Sequence, residues 1–158
     1  YIFVPCLILV WLRDIDGQGR QVVIWLFAII WATDIGAYFS GKSIGGPKLA
    51  PTISPNKTWA GFFGGLFFAG LMGFILNSYV EASFDMLEII IASVALSIVG
   101  QLGDLLESWV KRTFEVKDSG SLIPGHGGVL DRIDAILLAI PVAGIIVLIY
   151  DIGEVPWK

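Results

Sequence analysis

Between Ser108 and Asp134 the chain reads SWVKRTFEVKDSGSLIPGHGGVLDRID, four acids and four bases set between two strongly apolar segments. Two acid pairs flank this polar stretch. Asp104 and Glu107 close the preceding apolar run, and Asp131 and Asp134 open the next. Residues three apart share one helical face, so each pair presents its carboxylates together. Lys111, Arg112 and Lys117 lie between the pairs, and Arg132 lies inside the second. Carboxylates of this kind hold a divalent cation, and bases of this kind hold polyphosphate. One histidine and one cysteine in the whole chain are the wrong donors for zinc.

A second polar stretch, GKSIGGPKLAPTISPNK from Gly41 to Lys57, is expected to be a long loop. Pro47, Pro51, Pro55 and the Gly45-Gly46 pair forbid a continuous helix there. Ser54 or Thr58 can cap the apolar run that follows, and a helix N-terminus beside Lys57 can take a phosphate. A capped helix with no ligand accounts for the same residues. One further acid, Asp34, sits inside an apolar run, where a charge costs roughly 2.5 to 3.5 kcal/mol at full membrane depth and less near the interface. Snorkelling to the headgroups and a place at the site both answer that cost.

Read in order, Ser108, Lys111-Arg112, Lys117-Asp118, Gly120, Pro124, His126-Gly127-Gly128, Asp131-Arg132 and Asp134 resemble the signature of phosphatidate cytidylyltransferases, also called CDP-diacylglycerol synthases. Residues 54 to 61, SPNKTWAG, resemble a second motif of that family, with Asn56 in place of a common lysine and Ala60 in place of the usual glutamate. The resemblance implies a polytopic membrane enzyme that joins CTP to phosphatidate, releases pyrophosphate and requires magnesium, with a second cation allowed for. Asp104, Asp131, Lys111, Arg112 and Asp134 are the expected catalytic residues. Ser54, Lys57, Thr58, Lys117, His126 and Arg132 are the expected CTP-binding residues. Asp104 and Asp131 are expected to ligate the metal directly, with Asp134 and Glu107 behind them or as alternative ligands. Family members carry further spans before these motifs, so residues 1 to 158 are expected to be a C-terminal catalytic portion. A homodimer is usual for such enzymes.

The elements that must position these residues are membrane spans. Hydrophobic residues make up 56% of the 158 and charged ones 15%, and mean hydropathy is +0.80, which does not describe a water-soluble globule. A net charge of -4 gives no basic field for nucleic acid. The expected fold is all-α, a polytopic helical bundle of about four full spans plus one partial N-terminal span. The partial span is Tyr1 to Leu12. The full spans are Gln21 to about Ser40, Thr58 to Val80, Met86 to about Arg112, and Val129 to Tyr150. Gly61, Gly65, Ala69 and Gly73 recur every four residues and mark a smooth stripe for close helix packing. Gly100 and Gly103 leave room beside the first acid pair for a ligand or a neighbouring helix.

Lys42, Lys48 and Lys57 fall in one polar stretch and Lys111, Arg112, Lys117 and Arg132 in another, and the span count puts both on one side. The positive-inside rule makes that side cytoplasmic, in a bacterial inner membrane under the resemblance. Asp16-Gly17 lacks the acids and Ala-Arg that CDP-alcohol phosphotransferases would need. A transporter would scatter acids through the bilayer and show repeats, whereas these acids gather at one end. A related CTP enzyme acting on another phospholipid or a polyprenol stays open.

Overall fold

Backbone in lipid must satisfy its own hydrogen bonds, so long apolar runs become helices. The structure, a computed structural model, describes residues 2–79, 85–116, 119–120, 128 and 130–150, with Arg132 described through its backbone alone. Its elements are α1 (Phe3–Asp14), α2 (Gly19–Ser43), β1 (Lys48–Ala50), β2 (Ser54–Thr58), α3 (Trp59–Leu76), α4 (Met86–Thr113) and α5 (Leu130–Ile149). Thr58 begins α3 by accepting the Gly61 N–H on its hydroxyl at 3.1 Å. Glu88 begins α4 by accepting the Asp85 N–H at 2.9 Å.

Among the described residues three helices, α2, α3 and α4, are long and apolar enough to cross a membrane. The fourth expected span, α5, has a shorter apolar stretch, Ile133–Ile149. Phe63, Phe67 and Phe74 on α3 and Leu87, Ile91 and Ile98 on α4 point outward, as lipid-facing side chains do. The helical bundle is the expected one. The polar stretch 41 to 57 is not a plain loop, however. Helix α2 continues through Ser43, and β1 then pairs antiparallel with β2, Lys48 opposite Thr58 and Ala50 opposite Ser54. The prolines exclude helix yet suit extended backbone, and a strand with only one neighbour can lack the Pro55 donor.

Helix α2 packs chiefly on α3, α4 on α5, and α1 lies against both α2 and α5. The residues α3 buries are Gly61, Gly65, Ala69 and Gly73, the stripe read from the sequence. A Cβ on Gly65 would lie 3.2 Å from the Thr33 carbonyl of α2 and 3.0 Å from Gln101 Nε2 of α4, so α3 touches both neighbours through bare backbone. Leu12, Trp25, Leu26, Ile29, Leu96 and Ala139 lie in the core. Its polar atoms are satisfied in sequence: Trp25 Nε1 donates to Ser93 Oγ at 3.1 Å, and Ser93 donates to the Ile89 carbonyl at 2.6 Å.

Candidate functional site

Helix α4 carries Asp104, Glu107, Ser108 and Lys111 at three- and four-residue steps along its last turns. What lies against them follows from Gly103. A Cβ there would stand 3.0 Å from the Asp134 carbonyl, 3.1 Å from Leu138 Cβ and 3.4 Å from Ala135 Cα. The gap is therefore filled by α5, which is the second of the two uses open for that glycine. This approach sets the Asp134 carboxyl within hydrogen-bonding reach of Glu107. Glu107 is 5% exposed, and neither of its oxygens has a donor among the described residues. Two ionised carboxylates cannot donate to one another, so this pair needs a proton or a cation between them. Lys111 Nζ stands 3.6 Å from Glu107 Oε1, an ion-pair distance too long for a hydrogen bond.

Lys111 instead donates to Asp131 Oδ1 at 2.7 Å. Asp131 lies in the first turn of α5, where the helix dipole favours an acid. It also accepts the N–H of Gly128 at 2.7 Å and of Ser119 at 2.9 Å. Burial alone would raise its carboxyl, but the Lys111 ammonium and then the two backbone donors outweigh burial and hold it well below the usual carboxylate range. Asp131 thus ties the end of α4, the following segment and the start of α5 together.

Asp104 is engaged by a different lysine. Lys57 Nζ, at the end of β2, lies 2.6 Å from Asp104 Oδ2. The pair is held by charge, because the ammonium makes no well-angled hydrogen bond among the described residues. Ser108 Oγ is 3.4 Å from the other Asp104 oxygen. Beside this pair opens a cavity of about 520 Å³ whose lining includes Asp34, Tyr38, Lys42, Asn56, Lys57 and Asp104. A space of that size suits a small anionic ligand or the polar part of a larger one.

The remaining expected residues take varied places. Thr58 lines the cavity, and its hydroxyl oxygen takes the Gly61 N–H in the α3 cap while its O–H remains a donor. The Trp59 N–H is also taken, by the Pro47 carbonyl at 3.1 Å, so phosphate binding falls to Lys57 more than to the helix end. Ser54 sits in β2 opposite Ala50. Arg112 reaches the Ile53 carbonyl at 3.5 Å and the Val116 carbonyl at 3.4 Å, long bonds that lean the hairpin turn on the end of α4. Lys117, His126 and the side chain of Arg132 lie outside the described residues. Sequence reasoning left Asp34 undecided and did not single out Tyr38, Lys42 or Gln101. The signal was present, since Asp34, Tyr38 and Lys42 stand four apart on one face of α2. Asp34 shares its electrostatic surroundings with Asp104, Asp134 and Lys57.

Among the described residues no three acid, histidine or cysteine side chains gather closely enough to hold a metal unaided. Magnesium does not need three. One or two carboxylates with substrate phosphates and retained waters suffice. The Glu107 oxygens beside Asp134, ion-paired to Lys111 at 3.6 Å but without a hydrogen-bond donor among the described residues, are hard donors of that kind, and the donor set therefore fits such a cation.

Comparison with known proteins gives a consistent result. A model of the cytidylyltransferase family matches residues 1–150. The chain is 52% identical over 128 residues to a phosphatidate cytidylyltransferase of Brucella suis, covering 81% of this chain and 47% of that protein. It is 45% identical over 130 residues to one of Bacillus subtilis (82% and 48%). It is 43% identical over 132 residues to one of Staphylococcus epidermidis (84% and 51%). The chain spans about half the length of the curated relatives it matches.

Proposed function

Since the chain belongs to the cytidylyltransferase family, we propose that it is the catalytic portion of a membrane enzyme that transfers the cytidylyl group of CTP to phosphatidate. The products are CDP-diacylglycerol and pyrophosphate. One observation carries the reading beyond the family. Two lysine–carboxylate pairs, Lys57 with Asp104 and Lys111 with Asp131, stand at one end of a helical bundle clad in apolar side chains. A headgroup and a nucleotide can meet there while acyl chains stay in lipid.

In the proposed reaction a phosphate oxygen of phosphatidate forms a bond to the α-phosphorus of CTP. The bond from that phosphorus to the bridging oxygen breaks, and its electron pair leaves with pyrophosphate. The attacking oxygen is already ionised near neutral pH, so no side chain need act as a base. What the chain must do is bring two polyanions together and hold them in line. Lys57 and Lys42 face the cavity and would take phosphate oxygens there. Lys111 is held rigidly by Asp131, and with Arg112, Lys117 and Arg132 would complete the basic set. Magnesium bound by Asp104 and Asp131, with Asp134 and Glu107 beside them, would supply neutralisation of phosphate charge. The end of the bundle that bears the site would face the cytoplasm, where CTP is found.

The test supplies the purified protein in lipid with phosphatidate, magnesium and CTP labelled at either the α or the γ phosphorus. The expected result is label in the lipid from α-labelled CTP and none from γ-labelled CTP. No lipid label, or label arriving from the γ position, would overturn the proposal.

A further inference from the structure

We propose that Lys57 is the resident counter-ion of Asp104 before substrate arrives, that it competes with the divalent cation for this carboxylate, and that once displaced it turns to the nucleotide phosphate. The inference rests on the reading of the site as a CTP-dependent transferase and assigns the order in which its charges change partners.

The geometry at Lys57 is that of a placeholder. Its ammonium is 2.6 Å from Asp104 Oδ2, is buried, and makes no well-angled hydrogen bond among the described residues. Lys111 differs, since it donates a hydrogen bond to Asp131 at 2.7 Å while standing beside Glu107. Lys57 also borders the cavity, so a side chain released from Asp104 has a ligand-sized space beside it.

Charge balance then couples its departure to an arrival. Asp104 and Asp134 both act on Asp34, Asp104 acts on Asp134, and Lys57 offsets Asp34 while pairing with Asp104. Lifting Lys57 away removes that compensation from Asp34 and Asp104, a state that becomes favourable only when another cation takes its place. The backbone allows the move. Lys57 ends a two-stranded hairpin entered through Gly45 and Gly46, at φ of 66° and 90° with open space about each. The hydrogen bond from Arg112 of α4 to the Ile53 carbonyl of the hairpin turn is long, at 3.5 Å. Lys111, in contrast, is fixed on a helix.

The experiment titrates Mn2+ against the purified protein in lipid nanodiscs without nucleotide, reading bound ion by electron paramagnetic resonance. Losing an internal competitor strengthens binding, so Lys57→Gln is expected to bind Mn2+ about two- to fivefold more tightly than wild type. Lys57→Arg keeps the charge and stays near wild type. In the same Lys57→Gln protein the KM for CTP rises. A residue that merely supported the hairpin would loosen the ion site instead, so equal or weaker Mn2+ binding by Lys57→Gln overturns the proposal. A second measurement needs no variant: Mn2+ should increase acetylation of the Lys57 amine, located by mass spectrometry, and an unchanged yield also overturns it. A protein that makes labelled lipid but shows neither effect keeps the transferase and loses the exchange. One that shows both effects without labelled lipid keeps the exchange and loses the transferase.

Discussion

Asp131 illustrates how much of a single carboxylate's behaviour is set by its donors. Its folded value lies below that of the unfolded chain because Lys111, Gly128 and Ser119 together outweigh the cost of burying it. A carboxyl shifted in that direction contributes stability above the unfolded value of about 3.9, and loses it as pH falls through the folded value. The Tm difference between wild type and Asp131→Asn is therefore expected to stay constant from about pH 8 to about pH 5 and to shrink below about pH 4. Thermal unfolding in detergent across that range measures it. A difference that widens on acidification would mean that the carboxyl is not stabilised in its charged form. The spacing of Asp131 and Asp134 made a shared helical face legible in the sequence. Gly128 is a local partner three residues before Asp131, but Ser119 and Lys111 were not legible, because they lie 12 and 20 residues away and meet Asp131 only in the folded chain. Lys57 and Asp104 are similarly distant in the chain, and no local period joins them.

Elements with a helical period could be read from the residues, and the hairpin could not. The α3 stripe repeats every four residues, which is a property of one helix, whereas pairing β1 with β2 depends on a turn and a partner strand. Prolines announced only what the segment would not be. The stripe supports a quantitative contrast between two neighbouring glycines. A Cβ on Gly73 would press on Ser93, lying 2.9 Å from its Cβ and 3.2 Å from the Ile89 carbonyl. Ser93 cannot swing aside freely, since its hydroxyl both accepts from Trp25 and donates to Ile89. On Gly70 the nearest atoms would be Val94 Cγ2 at 3.4 Å and Ile90 Cγ2 at 3.7 Å, ordinary contacts. Gly73→Ala should thus cost about 1 to 3 kcal/mol by overpacking, and Gly70→Ala should stay within about 0.5 kcal/mol of wild type. Thermal unfolding of the two variants in detergent decides it. Equal stabilities would mean that α3 and α4 can separate at no cost and that the stripe does not set their distance.

At the scale of the molecule, the charged residues sort to one end because the helices alternate in direction. The C-terminal ends of α2 and α4 and the N-terminal ends of α3 and α5 bring Asp34, Lys57, Asp104, Lys111 and Asp131 within one connected set of contacts. Lys42, Lys48 and Arg112 belong to the same end, while the sequence from Asn77 to Asp85 carries no base. Short basic segments are retained in the cytoplasm during insertion, so the cavity end should face inward. The test replaces the exposed Cys6 with alanine and introduces one thiol at a time, at Lys48 on β1 or at Ser78 after α3. A membrane-impermeant maleimide should label the Lys48→Cys protein only in inverted vesicles and the Ser78→Cys protein only in intact spheroplasts. Neither position belongs to the ion pairs of the site, so labelling reports topology without disturbing them. The reverse pattern would turn the cavity away from the cell's CTP and remove the premise on which the cytidylyl transfer depends.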